Sequence, residues 1–190
     1  SQDQARTGLG DRMTPAAIIP MHSPEEAIAE LEYTTQPLGT KAGMFGSVLP
    51  RRVASIANDD PDVNRLAVWQ DVIGIDSDYN YDPVWAKCEE LGMAPTFHSS
   101  GNNFGLRLSP TNFVYNHIGH FAAAGHATAK AIFLGGVTRR FPRLRFAFLE
   151  GGVGWGVQLF GDFLEHWERR NARALDHMRP EKLDRKLLLS

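Results

Sequence analysis

The stretch APTFHSSG, residues 94–101, decides how this chain is read. Met93, Ala94, Pro95, Thr96 and Phe97 form a short apolar run just after Gly92, the pattern of a buried strand. The run ends on His98, followed by the small residues Ser99, Ser100 and Gly101. His98 is the one group in this tip able to bind a metal or move a proton near neutral pH. In parallel α/β folds, ligands gather at the carboxyl ends of strands. The tip therefore matters if the surrounding fold is of that kind.

The flanking sequence points that way. Upstream, MTPAAIIPM (13–21) reads as a strand, followed by a helix start at Ser23-Pro24-Glu25-Glu26. Ser at the N-cap, Pro at the first helical position and Glu three residues after the cap each favour that start. KAGMFGSVL (41–49) reads as a weaker strand, and residues 50–81 as a long excursion holding a short helix or two. A helix opening at Asp82-Pro83 buries Val84, Cys88 and Leu91 and stops at Gly92. After the strand at 94–97, a single helix is expected from Asn112, with Val114, Ile118, Phe121, Gly125, Ala129 and Ile132 on its apolar face. RLRFAFLE (143–150) is a further strand. The last helix spaces Trp155, Leu159, Phe163 and Trp167 by four. Alternating strands and helices, with nearly continuous apolar strands, indicate an α/β fold with a parallel sheet covered by helices.

Composition narrows the function. The 190 residues are 43% hydrophobic and 22% charged, with a net charge of −2. That balance gives no electrostatic reason to expect nucleic acid or an anionic membrane as partner. One cysteine, Cys88, excludes an internal disulfide framework and fits a reducing compartment. No apolar run approaches the ~20 residues of a membrane span, and SQDQARTGLGDR at the start lacks the apolar core of a signal peptide. The expectation is a cytoplasmic protein acting on a small molecule. The chain ends on three leucines, Leu187 to Leu189, and Ser190, a helical stripe that reads as cut short.

Two strands end in ionisable residues followed by small ones: His98, and Glu150 before Gly151-Gly152. An imidazole and a carboxylate in one mouth can bind a divalent metal or transfer a proton. Each residue alone also reads as a hydrogen-bonded structural group, and the pairing leaves both readings open. His117 and His120, three apart, read as rings packed on a neighbouring loop or as a metal pair. DSDYNYD (76–82) resembles a calcium loop, but Tyr81 occupies the position that needs glycine and Lys87 the one that needs glutamate. EGGVGWG (150–156) has Val157 where a dinucleotide fingerprint has its third glycine. Arg139, Arg140, Arg143 and Arg145 read as a solvated basic face.

The runs YDPVWAKCEELGMAPTFHSSG (81–101) and NHIGHFAAAGHATAKAIFLGGVTRRFPRLRFAFLEGGVGW (116–155), with IPMHSPEEAIAELE (19–32) upstream, resemble the amidohydrolase-related proteins. That group includes aminocarboxymuconate-semialdehyde decarboxylase. The resemblance covers residues 10–190 and implies part of a (β/α)₈ TIM barrel, about strands three to six, as one domain over 1–190 with 50–81 as a long inserted loop. It implies a metal-dependent hydrolase or decarboxylase acting on a small carboxylated or aromatic substrate, with a divalent metal, Zn or else Mn. His98 falls at the strand-five position, on or beside that metal. Glu150 stands where many relatives have a strand-six histidine acting as acid or base, in a subgroup that reads FLEGG. Asn102, Asn103, Tyr115 and Trp155 are candidate substrate-pocket residues by position. The family's strand-one His-x-His and strand-eight aspartate have no counterpart in this sequence, which leaves a non-catalytic scaffold as the alternative. Exposed sheet edges and the aromatic helix from Trp155 to Trp167 make a homo-oligomer an expectation as well.

Overall fold

The computed structural model describes residues 15–56, 60–98 and 105–170. The expected pocket residues Asn102 and Asn103, the tip Ser99-Ser100-Gly101 and the C-terminal leucine stripe lie outside the described residues.

Four short strands build one parallel sheet: β1 (Ala16–Ile19), β2 (Ala42–Phe45), β5 (Ala94–Phe97) and β6 (Ala147–Phe148), in the order β1-β2-β5-β6. Ile19 pairs with Phe45, Phe45 with Phe97, and Phe97 with Phe148, so all four carboxyl ends lie level. In β2 and β5 alternate residues are buried, and those of β5 are Pro95 and Phe97. Each connection between neighbouring strands is a long crossover that includes at least one helix, as is usual for parallel pairing, and the one from β2 to β5 also holds a small strand pair.

Helix α1 (Pro24–Thr35) starts as its sequence dictates: the Ser23 hydroxyl accepts the Glu26 N–H at 3.3 Å. Helix α3 (Asp82–Leu91) ends in a left-handed Gly92, but its N-cap is Tyr81 rather than Asp82, which lies in the first turn. The two helices lie side by side, and Lys87 bridges them to Glu32 at 3.0 Å. Beneath them the core gathers Ile19, Leu31, Phe45, Val84, Trp85, Met93 and Phe97. Its aromatic rings meet both edge-on, Phe45 with Phe97 at 6.1 Å and Trp85 with Phe146 at 5.9 Å, and stacked, Phe97 with Phe146 at 6.2 Å and with Phe148 at 5.4 Å, the arrangements the ring quadrupole favours.

The 50–81 excursion contains the expected short helix, α2 (Pro61–Leu66), and an antiparallel pair that the sequence did not disclose, β3 (Leu49–Arg52) with β4 (Val68–Asp71). A buried network fastens this pair to the end of β1. The carboxylate of Asp71, fully buried, receives Arg51 Nε at 3.0 Å, Ser77 Oγ at 2.7 Å and the Ile73 N–H at 2.8 Å. Arg51 then donates to His22 O at 2.6 Å and to the Tyr81 hydroxyl at 2.7 Å, and that hydroxyl donates to Met21 O. An isolated buried carboxylate would be costly, and here every partner is supplied.

The single helix expected from Asn112 is two: α4 (Phe113–His117) and α5 (His120–Leu134). Gly119, at φ 76°, takes the left-handed conformation that ends one helix and opens the next. The break turns the expected apolar face. Val114 and Ile118 are 61% and 70% exposed, and the buried face of α5 is His120, Ala124, Thr128, Ala131 and Ile132.

The arginines read as a solvated face are partly pinned in place. Arg140, at the end of α6 (Val137–Arg140), grips Asp82 through Nε at 2.7 Å and Nη2 at 2.8 Å. Arg143 holds Glu89 at 2.9 Å and keeps that carboxyl below the usual carboxylate range. Helix α7 (Gly154–Arg169) belongs to a second compact unit that begins at Val153, the first unit ending at Gly152. Leu159 is buried and Trp155 and Phe163 are half-buried, whereas Trp167 is 76% exposed.

Candidate active site

Adjacent strands β5 and β6 place the two strand-end residues together. The Leu149 N–H donates to Phe97 O at 2.9 Å, tying the residue before Glu150 to the residue before His98. One position further on, His98 Nε2 and Glu150 Oε2 are 3.0 Å apart. With its proton on Nε2 the imidazole donates to the carboxylate. The pair opens to solvent, His98 by about a third of its side chain and Glu150 by 63%. Water screens such a pair, so it contributes little to folding. What the pair does is bring an imidazole and a carboxylate within hydrogen-bond reach at the carboxyl end of a parallel sheet.

Glu150 reaches this place at a conformational cost. Its φ is 61°, in the left-handed region that non-glycine residues rarely enter, and Gly152 follows at 66°. Holding a side chain there costs on the order of 1–3 kcal/mol, and such residues cluster at functional sites.

Helix α5 brings a second group of rings to the pair. Phe121 stacks on the face of His98, centroids 4.6 Å apart at 20°. His120 lies 3.9 Å from Phe121, and His117 lies 4.2 Å from His120. A cavity of about 180 Å³ opens here, lined by His117, His120, Phe121 and Glu150 among others. His120 is only 4% exposed. Burial lowers the affinity of its imidazole for a proton, His117, Arg107 and His98 lower it further, and Glu150 opposes them. The histidines expected to pack on a loop thus border the site itself. The glycine within NHIGHF was the one sequence signal that this helix would break and turn its rings.

The remaining candidates fare differently. Tyr115 sits on α4, 57% exposed, and does not line the cavity. Trp155 stands in the first turn of α7, in the second unit. In the DSDYNYD stretch Asp76 adopts a positive φ of 52°, as does the nearby Ile73 at 49°.

A family model described as Amidohydrolase matches residues 4–180. The chain belongs to the amidohydrolase family. No curated protein sequence matches it. Among 19 matching solved chains is the crystal structure of an amidohydrolase from Mycobacterium avium subsp. paratuberculosis K-10. That likeness has a TM-score of 0.54 at 20% identity and covers 88% of this chain and 38% of that one. At this identity it shows a shared fold. The present chain spans 38% of the length of the mycobacterial amidohydrolase.

The donor set can be tested against a metal. Zinc bound at 2.0–2.2 Å by nitrogen and oxygen sets neighbouring ligand atoms about 3.4 Å apart in a tetrahedron. The separation of 3.0 Å between His98 Nε2 and Glu150 Oε2 is near that edge. Among the described residues no three carboxylate, imidazole or thiol groups converge as a metal site requires. Among the described residues the His98–Glu150 pair is thus joined by no third such group.

Proposed function

We propose that the chain is the part of a metal-dependent hydrolase or decarboxylase that carries the proton-transfer pair, His98 and Glu150. The observation that carries this reading is their 3.0 Å contact at the level ends of adjacent parallel strands, in a chain of the amidohydrolase family. In this reading the four parallel strands correspond to strands three to six of a (β/α)₈ barrel. His98 lies on or beside a divalent cation, Zn or Mn, and that cation supplies a Lewis acid and a more acidic water. Where His98 stands beside the cation, its Nε2–H orients Glu150; where its Nε2 holds the cation, Glu150 alone takes or returns the proton at the substrate. Glu150 acts in place of a histidine, in the manner of the FLEGG subgroup related to aminocarboxymuconate-semialdehyde decarboxylase. The substrate is a small carboxylated or aromatic molecule. Asn102, Asn103 and Tyr115 are proposed to border it, and a homo-oligomer is compatible with the exposed apolar surface.

A second reading, a scaffold without catalysis, is favoured by one observation: among the described residues the donors stop at two. Calorimetric titration of Zn²⁺ and Mn²⁺ into chelator-washed protein separates the two. The enzyme reading expects measurable binding, weak for so few ligands, that His98→Gln weakens at least tenfold further. Binding that is absent, or unchanged in His98→Gln, would leave the scaffold.

A further inference from the structure

A histidine has two side-chain torsions, and the second is broad and roughly two-fold. A hydrogen bond at Nε2 fixes one edge of the ring but leaves it free to roll about the line to its partner. His98 has such a bond, to Glu150 Oε2 at 3.0 Å. A second restraint on the ring plane must come from a contact on its face.

Phe121 supplies that contact. Its ring lies 4.6 Å from the imidazole at an interplanar angle of 20°, within the offset-stacked range of aromatic pairs. Phe121 itself is held by the rings behind it. His120 is 3.9 Å away at 39°, His117 is 4.2 Å beyond at 48°, and Phe113 is 5.1 Å further at 36°. The five rings form one continuous series, from the exposed Phe113 to the site imidazole. The series exists because Gly119 interrupts the helix: the left-handed turn at φ 76° stands between His117 on α4 and His120 on α5.

We infer that Phe121 is a positioning residue. It sets the plane of the His98 ring, and with it the direction of Nε2 toward Glu150, and it touches no reacting atom. The series of rings behind Phe121 keeps it from withdrawing. This rests on the reading of His98 as the site imidazole, but it makes a claim about ring geometry that is tested without substrate or metal.

The test is nuclear magnetic resonance of the full chain labelled at histidine, with the His98 signals assigned by their loss in His98→Gln. A ring stacked at this distance shifts the His98 ring-proton signals upfield. The wild type is expected to show that displacement. Phe121→Leu is expected to abolish it and to broaden the His98 nitrogen signals as the ring rolls, while Phe121→Tyr restores both. Wild-type protein without the displacement overturns the inference, whether or not any variant folds. So does Phe121→Leu with sharp His98 nitrogen signals at their wild-type positions, because Phe121 would then be packing only. If Phe121→Leu does not fold, Phe121→Met, unbranched and flexible, carries the same comparison. Loss of metal binding together with an intact displacement would defeat the proposed function and leave this inference standing. The converse result would do the reverse.

Discussion

Glu150 is held in a left-handed backbone conformation, φ 61°, that non-glycine residues rarely adopt. Three terms compete on substitution. Leaving the left-handed region relieves about 1–2 kcal/mol, glycine loses about 0.5–1 kcal/mol to the entropy of the unfolded chain, and the exposed pair with His98 contributes 0–1 kcal/mol. Glu150→Ala loses the pair and keeps the strain, whereas Glu150→Gly loses the pair and sheds the strain. The glycine variant is therefore expected to exceed the alanine variant by up to about 1.5 kcal/mol in urea unfolding, with metal binding weakened in both. A glycine variant about 0.5–1 kcal/mol less stable than the alanine variant would mean that Glu150 is unstrained. His120 gives a pH dependence of definite sign. Its folded-state proton affinity is lowered, by burial first and then by His117, Arg107 and His98 against Glu150. The unfolded chain therefore takes up its proton first as pH falls below about 6.5. Stability from this group is present above that value and is lost as pH falls through the lowered folded value. The melting temperature should drop between pH 7.5 and pH 5, and His120→Gln should shrink that drop. An unchanged drop would remove His120 as its source.

At the scale of elements, close backbone approach decides where change is tolerated. A Cβ on Gly135 would stand 1.8 Å from Gly74 O, and one on Gly74 would stand 2.6 Å from Ile132 N, backbone against backbone in both cases. Gly135→Ala is expected to cost more than about 2 kcal/mol, since no side chain can swing aside. Gly161→Ala, inside α7 with nothing within 4 Å, is expected to gain up to about 1 kcal/mol from helix propensity. Chemical denaturation midpoints check both, and equal effects would mean the α5 terminus does not lie against Gly74. The same scale explains what was legible beforehand. The strands of the sheet were readable because each is an apolar run beside a capped helix, as Ser23 and Gly92 mark out. The β3–β4 pair was not. Leu49-Pro50-Arg51-Arg52 carries no strand period, and its partner Val68–Asp71, to which Arg51 also makes an ion pair at Asp71, lies beyond residues 53–67. The helix break escaped because α-helical spacing continues through Gly119, and a lone glycine inside a helical pattern only permits the left-handed φ that makes the turn. His98 and Glu150 were readable as strand ends. Phe121 was not, since a ring contact between a strand end and the start of α5 leaves no periodic trace.

For the molecule as a whole, the consequential feature is the edge of the sheet. Among the described residues β1 pairs only with β2, and Ile18 on that edge strand is 74% exposed. An edge with free N–H and C=O groups and an exposed aliphatic side chain is a template for another strand. A net charge of −2 on 190 residues offers little repulsion to oppose it. The 190-residue chain is therefore expected to associate as concentration rises. Ile18→Lys should suppress that association, because a lysine on the edge would bring a like charge to each approaching copy. A lysine at so exposed a position should alter folding stability by less than about 0.5 kcal/mol, so a change in association is not a change in folding. Sedimentation velocity over a hundredfold range of concentration, paired with thermal melts of both proteins, reads the two effects separately. Monomers at every concentration, or equal association by Ile18→Lys, would show that the β1 edge is not where copies meet.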